Sequence, residues 1–475
     1  MNIIEENICT AYYNWTGKKT ENITLLPASG SSRLYFRVSE GLVNIIGAYN
    51  DNVLENNAFI GFTEHFRKQG LAVPEIYCYL PDKHIYLMQD LGDITLFNYL
   101  SRLKEKDDSV DQILVLYKNV IDHLVRFQLY GGAGLDYSLS YPRMAFDQQS
   151  VLWDLNYFKY YFLKLAGISF NEQKLENDFL TFASLLMEAD SSWFLYRDFQ
   201  SRNIMLQGNE IYFIDYQGGR KGALQYDLAS LLYDAKADIP VKAREILLGY
   251  YLERISAEIQ LDKQEFLKYY YSYVLIRILQ AMGSYGYRGY FERKLHFLAS
   301  IPYAIKNLSF LLENHFPDSP MPELKRILVS LTESDKLLSL GYTPSDKLKL
   351  TINSFAYKNG IPEDHSGHGG GFVFDCRFLH NPGREEEFRK LTGNDKAVVA
   401  YLESQYEVNN FFNEIAGIMD MAVRNYLERG FTHLMVSFGC TGGQHRSVYM
   451  ANKLAGYIQQ KFDVEVNLNH RELPV

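Results

Sequence analysis

"YRDFQSRNIML", residues 196–206, lies between the apolar run "SSWFL" and, a few residues further on, "IYFIDY". It places Asp198 and Asn203 on a loop that feeds the strand-like "NIML". Twelve residues after Asn203, "YFIDYQGG" sets Asp215 at the end of a second apolar strand. Phosphoryl transfer requires a carboxylate facing the acceptor hydroxyl and oxygen ligands that hold a divalent cation against phosphates. Asp198 has the position of the first, and Asn203 and Asp215 those of the second. Asp227 in "QYDLASLLYD" starts a helix and is placed to brace the loop. A single Asp at a strand end or helix start is usually a cap. Three in this order and spacing point to chemistry.

The surroundings of the loop set the fold class. Residues 23–48 alternate in short runs and predict strands around "PASGSSR". "LENNAFIGFTEHFRKQG" predicts a helix ending at Gly70, and "VPEIYCYL" with "HIYLMQDLG" a strand pair. From about 110 to 190 apolar residues recur at helical spacing, and further helices follow over 240–315. A strand-rich lobe followed by a helix-rich one predicts an α+β, protein-kinase-like two-lobe domain over 1–320. "NHFPDSPMPELKRIL" carries three prolines within six residues, so 321–345 is expected to be a linker. Beyond it, "LKLTINSFA", "GGFVFDCRFL", "THLMVSFGC" and "VEVNLNH" predict strands with helices between them, a smaller α/β domain over 346–475.

The 475 residues exceed what one core usually organises. A formal net charge of -9 argues against a polyanion-binding whole chain. Four cysteines form no paired framework, the N-terminus has no signal-peptide pattern and no apolar run is long enough to span a bilayer. A cytoplasmic protein without membrane contact is expected.

Residues from about 5 to 315 resemble the aminoglycoside-phosphotransferase-like kinases. Within them they are similar to the cell-wall-recycling branch that phosphorylates N-acetylmuramate and N-acetylglucosamine at the anomeric hydroxyl. The stretches that carry the likeness are "YRDFQSRNIM", "FIDYQGG", "YDLASLLYD", "SGSSRLYFR" and "LMQDLGD". The resemblance implies ATP and Mg2+ as cofactors and an amino sugar as substrate. It makes Asp198 the catalytic base and Asn203 and Asp215 the metal ligands. Gln89, Asp90 and Leu91 would form the hinge against adenine, and Ser29, Gly30, Ser31, Ser32 and Arg33 the turn over the phosphates. Two departures stand out. Tyr196 replaces the usual His beneath the loop, which a Tyr can do if its hydroxyl finds a partner. No Lys occurs from residue 20 to 67, so Arg33 or Arg37 is expected to replace the phosphate-anchoring lysine. Arg202 and the block 283–294 are the candidate contributors to the acceptor pocket.

"HLMVSFGCTGGQHRSVYMANKLAGYI" (433–458) is a strand, a Gly-rich turn and a helix, an arrangement that aims backbone N–H groups at an anion. Cys440 to Ser447 also has the Cys-x5-Arg-Ser spacing of cysteine-dependent phosphatases, but Gly439 stands where those enzymes carry His. Residues from about 347 onward resemble the C-terminal domain of the RapZ-type RNase adaptor proteins, through "INSFAYKNGIP", "FVFDCRFLHNP", "LTGNDKAV", "GCTGGQHRSVYMANKLA" and "HREL". The likeness implies a sugar-phosphate or anion pocket from Arg377, Asn381, Cys440, Thr441, Gly442, His445, Arg446, His470 and Arg471. It also implies RNA as a partner. With 14 Lys+Arg against 16 Asp+Glu from residue 345 onward, a phosphorylated amino sugar is the favoured ligand over RNA. His365 and His368 read as solvated loop residues in preference to a zinc site. The alternatives to a kinase are a non-catalytic nucleotide-sensing adaptor, and a phosphatase in the C-terminal domain.

Overall fold

The computed structural model describes residues 2–27, 33–41, 43–104, 109–208, 210–340, 347–364, 371–428 and 431–473. It divides into two compact units, Met1–Leu340 and Gly341–Val475.

The first unit begins with a helix, Ile3–Thr16, that the sequence reading had not anticipated. Asn2 caps it, accepting the N–H groups of Ile4 and Glu5, while Glu5 reaches back to the Asn2 N–H. An antiparallel sheet follows: β1 (Asn22–Leu25), β2 (Leu34–Glu40), β3 (Val43–Tyr49), β4 (Ile76–Leu80) and β5 (Ile85–Gln89), in the order β1-β2-β3-β5-β4. Alternate residues divide between its faces. Phe36, Val38, Ile45 and Leu87 pack on Ile8 and Tyr12 of the first helix, whereas Ala48 and Tyr86 join Phe59 and Phe62 from the helix Val53–Lys68. Gly47 is required where that first helix crosses the sheet, because a Cβ there would sit 2.6 Å from Ile8 Cγ2.

The helix-rich lobe is organised by Lys263–Gly286, which packs on the helices Gln148–Phe158 and Gln225–Leu232. Two small ribbons cross its upper part. β6 (Trp193–Leu195) pairs with β9 (Arg220–Gly222), and β7 (Ile204–Gln207) with β8 (Glu210–Phe213), so 196–203 is the loop from one ribbon to the other.

The expected linker is different in the structure. Helices Pro322–Thr332 and Asp335–Leu338 continue the first unit, burying Leu324, Ile327, Leu328, Leu331 and Leu337 in its core. A proline sets where the first of these helices starts: Pro322 is at its first position, where its missing N–H costs nothing. Glu323 accepts the Asn171 N–H and Asp178 accepts the Leu324 N–H, fastening the segment.

The second unit is a four-stranded parallel sheet, β10 (Lys349–Ala356), β11 (Gly371–Asp375), β12 (His433–Cys440) and β13 (Glu465–His470), in the order β11-β12-β10-β13. Its helices Tyr406–Glu428 and Arg446–Lys461 contribute Ile415, Met419, Val423, Leu454 and Ile458 to a separate core. Among the described residues no helix is long and apolar enough to cross a membrane.

Candidate functional site

Asp198 and Asn203 on the loop meet Asp215, which follows β8. Asn203 Nδ2 donates to the Asp198 carbonyl (2.9 Å) and to Asp215 Oδ2 (3.2 Å), and the Ile214 N–H donates back to the Asn203 carbonyl (3.0 Å). With its amide nitrogen so used, Asn203 keeps its Oδ1 as a donor atom for a cation. Asp215 has φ +70°, a left-handed conformation that a non-glycine residue holds only where its surroundings enforce it. Gln217 Nε2 donates to Asp215 Oδ1 at 2.7 Å. Burial, and then the charge of Asp198, raise the Asp215 carboxyl above its ordinary range. The Asp215 carboxylate with the Asn203 amide oxygen fits a hard divalent cation, and Mg2+ commonly takes one or two carboxylates from protein and the remainder from phosphates and water.

Tyr196 is 1 % exposed, its ring edge-on to Phe127, Phe199 and Tyr216, and its hydroxyl donates to the Ile214 carbonyl at 2.6 Å. The hydroxyl therefore has its partner, one residue before Asp215. Asp227, wholly buried, accepts the N–H groups of Tyr196 (2.7 Å) and Arg197 (3.0 Å), the bracing expected of it. Burial pushes its carboxyl up to about 7 against the pull of those two donors. Arg197, at φ +85°, forms a two-pronged pair with Asp154 (2.8 and 2.6 Å) and lies over the rings of Phe146 and Tyr226.

The lysine-free strand lobe supplies Arg33. It is 4 % exposed, with Nη2 3.4 Å from Glu55 Oε1 and Nη1 donating to the Tyr35 hydroxyl. Glu55 is fixed on the first turn of its helix, where Asn52 accepts its N–H, and Gln217 Nε2 lies 3.4 Å from Glu55 Oε1. Arg33, Glu55, Gln217 and Asp215 thus form one continuous chain.

The reading of Arg37 as a second phosphate candidate is corrected. Both faces of its fork are occupied, by Asp90 (2.6 and 3.1 Å) and Asp93 (3.1 and 2.8 Å). The same pair turns the Asp90 carboxylate inward, where it also accepts the Gly92 N–H. Gln89 exchanges hydrogen bonds with Glu75 and Leu91 is buried, so the side chains at 89–91 serve the fold. Ser29, Gly30, Ser31 and Ser32 lie outside the described residues, as do His365 and His368.

A cleft of about 120 Å³ opens beside Asp198, lined by Arg202, Asp234, Lys236, Arg277 and, from the block 283–294, Ser284 and Tyr285. Glu55, Asp154, Lys236 and Arg277 were not singled out from the sequence. Glu55, Asp154 and Arg277 sit on helical patterns and Lys236 in a short turn as ordinary charges, and only contacts far along the chain reveal them.

In the second unit, Ala356, Asp375, Cys440 and His470 all end their strands at one edge of the sheet, the edge outside which open parallel sheets bind ligands. The Gly443 N–H and the Ser447 hydroxyl both meet Cys440 Sγ at 3.1 Å. Gly443 has φ +69° and a Cβ there would strike Glu472, whereas beside Gly442 there is open space. Arg446 Nη1 donates to the carbonyls of Arg377 and Leu379, and its Nη2 is 3.5 Å from the Thr441 hydroxyl. Thr441 and Arg446 are therefore together, whereas Arg377 meets Arg446 only through its backbone carbonyl, its guanidinium being forked onto Asp375 and lying over the Tyr357 ring. Asn381 instead caps a short turn through the Gly383 N–H, and His445 Nε2 is bonded to the Phe388 carbonyl. Both ring nitrogens of His470 are engaged, by Ser354 and Asn452, and Arg471 donates to the carbonyls of Asn359 and Gly360.

Residues 24–261 match the phosphotransferase enzyme family. The chain belongs to that family, and it is a kinase-like phosphotransferase unit joined to a second module: residues 348–474 match the RapZ C-terminal domain. Curated relatives include a nucleotide-binding protein of Endomicrobium trichonymphae, 36% identical over 156 residues, which are 33% of this chain and 50% of that protein. Another, from Xylella fastidiosa, is 43% identical over 131 residues, 28% of this chain and 43% of that one. The chain thus spans half or less of the length of these relatives. Among solved structures, choline kinase LicA from Streptococcus pneumoniae aligns with 70% of this chain and 100% of its own at 14% identity and TM-score 0.42. An ADP-bound aminoglycoside phosphotransferase aligns with 70% and 98% at 12% identity and TM-score 0.39.

Proposed function

We propose that the first unit transfers the terminal phosphoryl group of ATP to a hydroxyl of an amino sugar of the N-acetylmuramate or N-acetylglucosamine type, at the anomeric position, in the recycling of cell-wall sugars. The observation that carries this reading is the convergence of Asp198, Asn203 and Asp215 through the two hydrogen bonds of Asn203. Asp198 takes the proton as the acceptor oxygen bonds to phosphorus and the bond to ADP breaks, and later releases it to water. Asn203 and Asp215 are the residues that would hold Mg2+, whose charge offsets that of the phosphates when it is bound. Arg33, kept charged and oriented by Glu55, serves as the phosphate-side cation in place of a lysine. The partnered Tyr196 hydroxyl and the Arg33–Glu55 pair weigh against a non-catalytic adaptor, whose support was the loss of His and Lys at these places.

For the second unit the reading is a site for a phosphorylated amino sugar around Arg377, Thr441, Gly442 and Arg446. Several basic residues of this unit are already paired with acids, Lys347 with Asp463, Lys349 with Glu465 and Lys461 with Asp420, which leaves less charge for an RNA backbone. Cys440 is 3 % exposed and Arg446 is anchored by two carbonyls, an arrangement that disfavours a phosphatase nucleophile.

The test is ATP consumption by the full chain over a panel of amino sugars, beside Asp198→Asn. Acceptor-dependent ADP release that the variant loses supports the reading. Equal consumption by both proteins, or none by either, removes it.

A further inference from the structure

The cleft beside Asp198 contains two glutamine side chains, Gln200 from the loop and Gln280 from the helix Lys263–Gly286. Arg277, one turn before Gln280, reaches both. Its Nη1 donates to Gln280 Oε1 and its Nη2 to Gln200 Oε1 at 3.4 Å. A guanidinium has N–H donors and no acceptor, so each amide must turn its oxygen to Arg277 and its NH2 group away. Arg277 is 8 % exposed and held at a third point, its Nε donating to Ser230 at 2.9 Å. Its Nη2 also lies 3.9 Å from Asp198 Oδ1, so one planar group spaces the base and the two amides. Among the described residues neither NH2 group has a partner, and neither is closed off from the cleft. The charged walls are engaged elsewhere. Asp234 accepts the N–H and hydroxyl of Ser201 and its charge acts on Lys236, while Arg202 lies over the Phe97 ring at 4.9 Å.

We propose that Gln200 and Gln280 are specificity residues whose NH2 groups bind the acyl oxygen of an N-acylated acceptor, with Arg277 as the positioning residue that sets their orientation. This rests on the amino-sugar kinase reading and narrows it. The two NH2 groups offer donors only, and an acyl oxygen is an acceptor only, whereas a sugar hydroxyl is both. In a 2-acylamino sugar the acyl group hangs on the carbon next to the anomeric one. Its oxygen therefore lies near the hydroxyl that faces Asp198, which is the spacing Arg277 builds between base and amides. Ala281 and the Phe297 ring line the same cleft and give the acyl methyl an apolar rest.

The experiment uses the full chain with ATP and Mg2+ and two pairs of acceptors that differ in the acyl group: N-acetylglucosamine against glucose, and N-acetylmuramate against its counterpart with a hydroxyl in place of the acetamido group. In wild type, kcat/KM for the better N-acetyl acceptor exceeds that of its acyl-free partner by about tenfold or more. In Gln280→Met and Gln200→Met that ratio falls at least about threefold, and KM for ATP moves less than about threefold. Gln280→Glu keeps an oxygen against Arg277 but has no NH2 for the cleft, so its ratio falls as in Gln280→Met, where a merely structural glutamine would be rescued. Arg277→Met lowers the ratio with both glutamines in place, and the glutamine variants decide if that buried replacement does not fold. A wild-type ratio near one, a ratio that survives both glutamine-to-Met variants or a folded Arg277→Met, or one restored by Gln280→Glu overturns the proposal while the kinase reading stands. Failure of every amino sugar to accept phosphate overturns that reading and this inference with it.

Discussion

Replacing Tyr196 by Phe isolates the hydroxyl from everything else the residue does. The ring contacts with Phe127, Phe199 and Tyr216 are unchanged in shape, and the N–H remains bonded to Asp227. What disappears is the 2.6 Å bond to the Ile214 carbonyl, at a site so closed that no water replaces it. An acceptor left unsatisfied in such surroundings costs about 1–3 kcal/mol. All three tryptophans, Trp15, Trp153 and Trp193, lie in the first unit, so tryptophan fluorescence during urea unfolding of the full chain follows that unit alone. The unfolding midpoint should fall by the equivalent of that loss at unchanged slope, and Tyr196→Leu should fall further because it also opens a cavity. Activity should fall with stability, since Ile214 directly precedes Asp215. A Phe variant with wild-type midpoint and rate would refute the idea that the hydroxyl ties the loop to Asp215.

Other predictions concern separate parts of the molecule. Arg33→Met should raise KM for ATP and cut kcat/KM by at least about 100-fold, because it removes the phosphate-side cation and strands Glu55, as steady-state kinetics would report. Asp227 gives a pH signature. Its folded carboxyl holds a proton up to about 7 while the unfolded one releases it near the ordinary 3.8, so its contribution to stability is complete below pH 4 and declines as pH rises to 7. Urea midpoints at pH 5 and 7.5 should therefore drop more in wild type than in Asp227→Asn. In the second unit, Arg446→Ala should abolish calorimetric binding of glucosamine-6-phosphate, while Arg471→Ala, whose guanidinium serves the backbone at 359–360, should weaken it less.

The loop's chemistry was legible in the sequence because Asp198, Asn203 and Asp215 are close in the chain and each follows or precedes an apolar strand. So was the α/β character of the second unit, whose four strands are runs of recognisable length, though that the sheet is parallel throughout came from the structure. The partners of these residues were harder to see. Glu55, Asp154 and Lys236 meet the site across 22, 43 and 38 residues of chain respectively, measured to Arg33, Arg197 and Asp198, and local pattern carries no information about such pairings. Arg37 and Arg33 alternate along one strand and look equivalent. Only the placement of Asp90 and Asp93 opposite Arg37, and of Glu55 opposite Arg33, separates their roles. The segment 321–340 misled for a different reason: a proline breaks a helix when internal, but Pro322 starts one at the first turn, and the buried face of Leu324, Leu328 and Leu331 was the stronger signal.

The most direct measurement is phosphorus-31 NMR of the reaction of ATP, Mg2+ and N-acetylmuramate with wild type and with Asp198→Asn. Wild type should give a sugar-phosphate resonance growing in step with ADP, and the variant a rate lower by at least about a thousandfold. A sugar phosphate formed at comparable rates by both proteins would contradict the role given to Asp198, and ADP appearing with inorganic phosphate alone would contradict the transfer itself.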